Sequence, residues 1–101
     1  MLPSISSHEL TERMQKGEKL NLLDVRERIE YHTYNIGGIN IPLKDLESSI
    51  DDLTYNKTDE IIVICKVGLR SGTAAELLKQ KGYQKARNLT GGLLALRKLQ
   101  S

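Results

Sequence analysis

Ile61-Ile62-Val63-Ile64-Cys65-Lys66-Val67-Gly68-Leu69-Arg70-Ser71 decides the fold of this 101-residue chain. Its first five residues form the longest uninterrupted apolar run. That run is mostly β-branched and predicts a central strand covered on both faces, as strands of parallel sheets are. Beyond the loop, Ser71 to Lys81 repeats apolar residues at Ala74, Ala75, Leu77 and Leu78, then stops at Gly82. This is the pattern of a helix ended by glycine. A strand that feeds a helix puts the intervening loop at the carboxyl edge of a sheet, where open α/β sheets bind ligands.

Outward from this unit, strand and helix periods alternate along the whole chain. Toward the N-terminus, Leu20 to Val25 reads as a buried strand ending near Asp24, and Glu27 to His32 as a helical turn. A short first strand lies around Ile5. Ser6 and Glu9 form a capping box for the helix that carries Leu10 and Met14 and stops at Gly17. Ile36 to Ile41 reads as a strand closing at Pro42, and Leu43, Leu46, Ile50 and Leu53 as one short amphipathic helix. Toward the C-terminus, Ala86 to Leu89 reads as a last strand, and Gly91-Gly92 opens a helix with Leu93, Leu96 and Leu99. The expected architecture is α/β, a five-stranded, mostly parallel sheet flanked by helices on both faces, formed by residues 1–101 as one domain.

Composition removes several functional classes. Hydrophobic residues make up 39% and charged residues 28%, which excludes disordered, collagen-like and coiled-coil chains. Leu and Ile number 16 and 9, whereas Phe and Trp are absent, so the core is expected to be aliphatic. One cysteine cannot bridge internally, and with two separated histidines it makes no zinc spacing, so neither a metal nor a cofactor is expected. Met1 to Ser4 lacks the basic segment of a signal peptide, and no apolar run is long enough to cross a membrane. A cytoplasmic setting without a membrane partner is the expectation. Residues 1–60 hold 7 basic and 12 acidic side chains, and residues 61–101 hold 8 and 1. Such asymmetry draws anions toward one face, but no aromatics interleave the basic residues, which argues against nucleic acid.

The chemistry is expected in the loop. A lone cysteine is usually a small buried hydrophobe. Here Cys65 stands where a strand opens into a helix, so loop N–H groups and the helix dipole converge near its sulfur. Gly68 permits the positive φ that such a ring requires. Lys66 and Arg70 add two cations, with no acid in sequence between Glu60 and Glu76. Each effect favours thiolate, the reactive form. His8 and His32 both read as surface residues, so a Cys–His hydrolase has little support.

Four segments, Leu-Leu-Asp-Val-Arg-Glu (22–27), Ile-Gly-Gly-Ile-Asn-Ile-Pro (36–42), Cys-Lys-Val-Gly-Leu-Arg-Ser (65–71) and Asn-Leu-Thr-Gly-Gly-Leu (88–93), together resemble the rhodanese-like (sulfurtransferase) family in order and spacing. The resemblance implies a parallel five-stranded sheet and a cysteine that takes sulfane sulfur as a persulfide and passes it to a thiol or cyanide. It matches Cys65 to the sulfur-accepting cysteine and Lys66, Val67, Gly68, Leu69 and Arg70 to the surrounding loop. Ser71 starts the helix, and Asp24 and Arg26 match the second-strand signature. On the residues alone, Asp24 reads as structural and Arg26 as its partner or Glu30's. Alongside that reading, Arg26, Lys66, Arg70 and the rest of the loop are taken as the substrate-binding set. Two departures stand out: Asn35-Ile36-Gly37-Gly38-Ile39 where many members have His-Ile-Pro-Gly-Ala, and Leu96 at a frequent tryptophan.

The partners so implied are a small sulfur-containing anion and a thiol or cyanide acceptor, with a protein acceptor as a further possibility. Two other activities compete. A non-turnover relay or binding module would use the same loop, although modules that only bind commonly lack the cysteine. A cysteine phosphatase resembles it less, because four residues separate Cys65 from Arg70 where those enzymes have five, and no general acid is evident.

Overall fold

A computed structural model describes residues 3–100. Met1, where the leaderless reading begins, and Leu2 lie outside the described residues. The chain runs β1 (Ser4–Ile5), α1 (Ser7–Gln15), β2 (Leu22–Asp24), α2 (Arg28–Thr33), β3 (Ile39–Asn40), α3 (Leu43–Ser49), a 3-10 turn (Ile50–Asp52), β4 (Ile61–Ile64), α4 (Leu69–Gln80), β5 (Ala86–Leu89) and α5 (Gly92–Gln100). The five strands form one sheet in the order β1-β5-β4-β2-β3, and every pairing is parallel. β4 is therefore the centre, as its composition demands, and "mostly parallel" sharpens to all-parallel.

Alternation along β4 builds two cores. Ile61, Val63 and Cys65 face Leu46, Ala74, Ala75 and Leu78 from α3 and α4. Ile62 and Ile64 face Leu10 of α1 and Leu93 and Leu96 of α5. Both faces of the central strand are thus dry, which is why it carries no polar residue. The core is not wholly aliphatic. Tyr83 is buried within the α3–α4 side, and the Tyr55 hydroxyl donates to the Leu22 carbonyl at 2.9 Å beside it.

Local differences from the expected elements have local causes. Ser6 caps α1 by accepting from Glu9 N–H at 3.0 Å, but the Glu9 carboxylate reaches Arg87 at 2.9 Å rather than back to Ser6. The full capping box occurs at α2 instead, between Glu27 and Glu30. β3 is shorter than 36–41 because Asn35 Oδ1 accepts from Gly37 N–H and closes a turn there. The helix beginning at Leu43 ends at Ser49, and Ile50 and Leu53 are buried from the 3-10 turn and beyond. α4 begins at Leu69, two residues before the apolar repeat, because its first turn is at the protein surface and shows no periodicity.

No helix among the described residues is long and apolar enough to cross a membrane. Part of the charge asymmetry of the sequence is met by internal pairs: Arg87 pairs with Glu9 and Glu60, and Arg70 with Glu30.

Candidate active site

Cys65 follows β4 directly and lies at the floor of the loop that enters α4. Gly68 takes φ +98° there and caps the helix in the left-handed region, which turns its N–H inward. A Cβ on Gly68 would sit 3.2 Å from Gly91 N, so the position is restricted by space as well as by φ. The Gly68 and Ser71 N–H groups donate to Cys65 Sγ at 3.1 and 3.3 Å, and Ser71 Oγ lies 3.2 Å from it.

The far side of the loop is fixed by α5. Leu93 N–H donates to the Cys65 carbonyl at 2.9 Å and Leu94 N–H to the Lys66 carbonyl at 3.0 Å. Helix N-terminal amides are thus satisfied by the loop's own carbonyls, leaving its N–H groups to face the sulfur. The contact needs Gly92, where a Cβ would fall 2.4 Å from the Lys66 carbonyl carbon.

Burial pushes the Cys65 thiol up, but the Ser71 hydroxyl and the N–H groups of Ser71, Gly68 and Val67 outweigh it, holding the thiol below its ordinary value. The cations contribute differently from the sequence-based expectation. The acid-free window holds in sequence but not in space, because α2 brings Glu30 against Arg70, with Nη1 and Nη2 donating at 2.6 and 3.0 Å. Hydrogen bonds from Arg70 lower Glu30 to about 2 despite its partial burial, and Glu30 in turn raises Arg70. The ring around sulfur is built mainly from main-chain dipoles.

The other expected site residues fall into place around this floor. Ser71 is buried and touches the sulfur, while Val67 and Leu69 are exposed on the rim, Leu69 at 77%. Lys66 is exposed and lines a cleft of about 320 Å³ between α2 and α5, with Ile29, Tyr34, Leu94 and Arg97. Arg97 stacks on the Tyr34 ring at 4.3 Å. Arg26 also borders the cleft, yet its guanidinium is committed: it donates to Asp24 Oδ2 at 2.8 Å and to the Tyr34 carbonyl at 2.6 Å. It braces β2 against the segment after α2, and Asp24 is the structural hydrogen-bonding residue that its sequence context indicates. His8 and His32 are exposed, and His32 packs edge-on against Tyr31. Sulfur itself is fully covered, so it lies below the mouth of the ring rather than at it.

Two residues join the site without having been singled out for it. One is Glu30, assigned only as a possible Arg26 partner. The other is Asn88 of β5, whose Nδ2 donates to the Gly68 carbonyl at 3.1 Å and whose Oδ1 accepts from the Ser71 hydroxyl. A polar residue beside Leu89 near the end of a short strand, opening the Asn-Leu-Thr-Gly-Gly-Leu segment, was the available signal.

Residues 6–99 match the rhodanese-like domain family. The chain belongs to that family. YrkF of Bacillus subtilis, named as a sulfur carrier protein, is 39% identical over 93 residues, which are 91% of this chain and 49% of YrkF. The chain therefore spans about half of that relative's length. PspE of Escherichia coli, named as a thiosulfate sulfurtransferase, is 39% identical over 72 residues, covering 70% of this chain and 68% of PspE. The human single-domain sulfurtransferase TSTD1 superposes with a TM-score of 0.85 at 29% identity, and 100% of each chain is covered. The rhodanese-like relatives are named as sulfur carriers and sulfurtransferases, and TSTD1 shares the fold described above.

Proposed function

We propose that this rhodanese-like chain is a sulfurtransferase that moves sulfane sulfur through a persulfide on Cys65. The observation that carries the reading is the convergence of the Gly68 and Ser71 N–H groups on one sulfur at the strand–helix junction. Such a ring stabilises an anion at a fixed point without needing a base to make it.

The chemistry proceeds in two balanced displacements. The Cys65 thiolate attacks the outer sulfur of thiosulfate, and the sulfur–sulfur bond of the donor breaks with its electron pair leaving on sulfite. The terminal sulfur of the resulting persulfide carries the negative charge. Cyanide or a thiolate then attacks that sulfur, the persulfide bond breaks, and its pair returns to Cys65 as thiolate. Amides that held the thiolate are placed to hold the charge again as the second bond breaks. Lys66 and Arg70 supply positive charge for the doubly anionic donor, and Lys66 stands at the entrance of the cleft through which a donor or acceptor would reach the ring.

A thiosulfate-to-cyanide assay tests the reading. Wild type is expected to produce thiocyanate and Cys65→Ser none. Stable sulfur loading without thiocyanate would assign a relay to another acceptor, and no loading would remove the persulfide.

A further inference from the structure

Ser71 has one hydroxyl proton and two neighbours able to take it. On one side is Cys65 Sγ at 3.2 Å, and on the other is Asn88 Oδ1, to which the hydroxyl donates. The orientation of the Asn88 carboxamide is not free. Its Nδ2 donates to the Gly68 carbonyl, a group that only accepts, so Oδ1 must be the atom turned to Ser71. With the Ser71 proton on Asn88, the thiol proton of neutral Cys65 completes the chain by donating to Ser71 Oγ. Asn88 is set in β5 opposite Val63, on the same face of the sheet as Cys65. The chain of groups runs in a closed circuit: Cys65, Ser71, Asn88, the Gly68 carbonyl, and the Gly68 N–H back to sulfur.

Ionisation breaks this arrangement. When the thiol proton leaves for solvent, the anionic sulfur needs donors, and the Ser71 hydroxyl supplies one only by rotating off Asn88. Asn88 Oδ1 then loses the donor it had. In the persulfide the inner sulfur is bonded to a second sulfur and the charge has moved outward, so the hydroxyl is free to return. We propose that Asn88 is a positioning residue that acts through Ser71, drawing the hydroxyl proton away from Cys65 and so tilting the site toward its sulfur-loaded form. This rests on Cys65 being the reacting sulfur, as proposed above. No proton is gained or lost in the switch itself; one O–H bond turns between two acceptors.

The charged groups around the sulfur are Lys66 in the loop, Arg70 with Glu30 of α2, and the Asp24–Arg26 pair at the end of β2. α5 presents main-chain groups to the loop and Arg97 to the cleft that Lys66 lines, and β5 presents the neutral Asn88. Among the described residues, no hydrogen bond joins any of those charged groups to the Ser71 hydroxyl or to Asn88, so substituting Asn88 leaves them in place.

The test uses the single cysteine as its own probe. The ultraviolet titration of the thiolate, corrected with Cys65→Ser, is measured in Asn88→Ala and in Asn88→Leu, which keeps the bulk and removes the acceptor. Either folded variant is expected to titrate about 0.5–1 unit lower than wild type, a threefold to tenfold gain in thiolate. Ser71→Ala should titrate higher, and adding Asn88→Leu to it should change nothing further. An unchanged or raised midpoint in the Asn88 variants would overturn the proposal. So would an equal fall in the Ser71→Ala background, because the effect would then run through the Gly68 tie. The titration needs no turnover, so failed sulfur loading by wild type would count against the sulfurtransferase reading and leave this result to stand by itself.

Discussion

At Cys65 two opposing effects meet, and their balance is the source of the proposed chemistry. Burial alone would make this a neutral core thiol, and the residue is indeed packed in the α3–α4 core. Directed N–H and O–H groups reverse that outcome. The loop sequence pointed to Cys65 and to a positive φ at Gly68, because both follow from chain direction and backbone freedom, but the helix expected to start at Ser71 starts at Leu69. It counted Lys66 and Arg70 beside the loop N–H groups as favouring thiolate, and a one-dimensional window does not show that Glu30 folds against Arg70. Gly68→Ala tests the backbone part. Its φ is unfavourable for a side chain and its Cβ would press on Gly91, so a loss of about 1–3 kcal/mol is expected in urea denaturation. Thiolate formation should also move to higher pH as the Gly68 N–H is displaced.

Between elements, the site depends on contacts that no single segment announces. α5 docks on the loop through Leu93 and Leu94 N–H groups, and the paired glycines that permit it were legible only as a helix opening. α2 buries no residue, so no hydrophobic pattern reveals its purpose, yet it supplies Glu30 to α4 and Ile29 to the cleft. The strands were clearer because a central parallel strand is covered on both sides and must be apolar throughout. Glu30 gives the link between α2 and α4 a pH dependence. Arg70 holds its carboxyl at about 2, below the ordinary value of about 4.3 for a free glutamate. A depressed acid stabilises the fold above its unfolded value, and this contribution fades as pH falls toward the folded one. Carbon-detected NMR titration should place Glu30 near 2 in wild type and return it toward the ordinary range in Arg70→Ala. An ordinary value in both would show that the pair does not persist in solution.

Across the whole molecule, the acidic first part and basic second part of the sequence fold onto one another. Arg87 is nearly buried and shares Glu9 and Glu60, and Arg13, from within the acidic part, also pairs with Glu60 at 2.6 Å. The asymmetry was legible, but its pairing was not, because these partners lie far apart in the chain. Hydrogen bonds from Arg87 lower Glu9 and those from Arg13 lower Glu60, so their stabilisation holds above the ordinary carboxylate value and is lost as pH falls below it. Arg87→Met should cost about 1–3 kcal/mol, less than a fully buried pair because water reaches both acids, and should flatten the acid limb of the stability profile. The thiosulfate chemistry proposed for the opposite end of β4 should be unaffected at neutral pH. The most direct measurement of that chemistry is the intact mass of the folded protein after incubation with thiosulfate and removal of the excess. Wild type should gain one sulfur atom, lose it on adding cyanide, and show no gain as Cys65→Ser. An unmodified wild type, or the same gain in Cys65→Ser, would contradict a persulfide on Cys65.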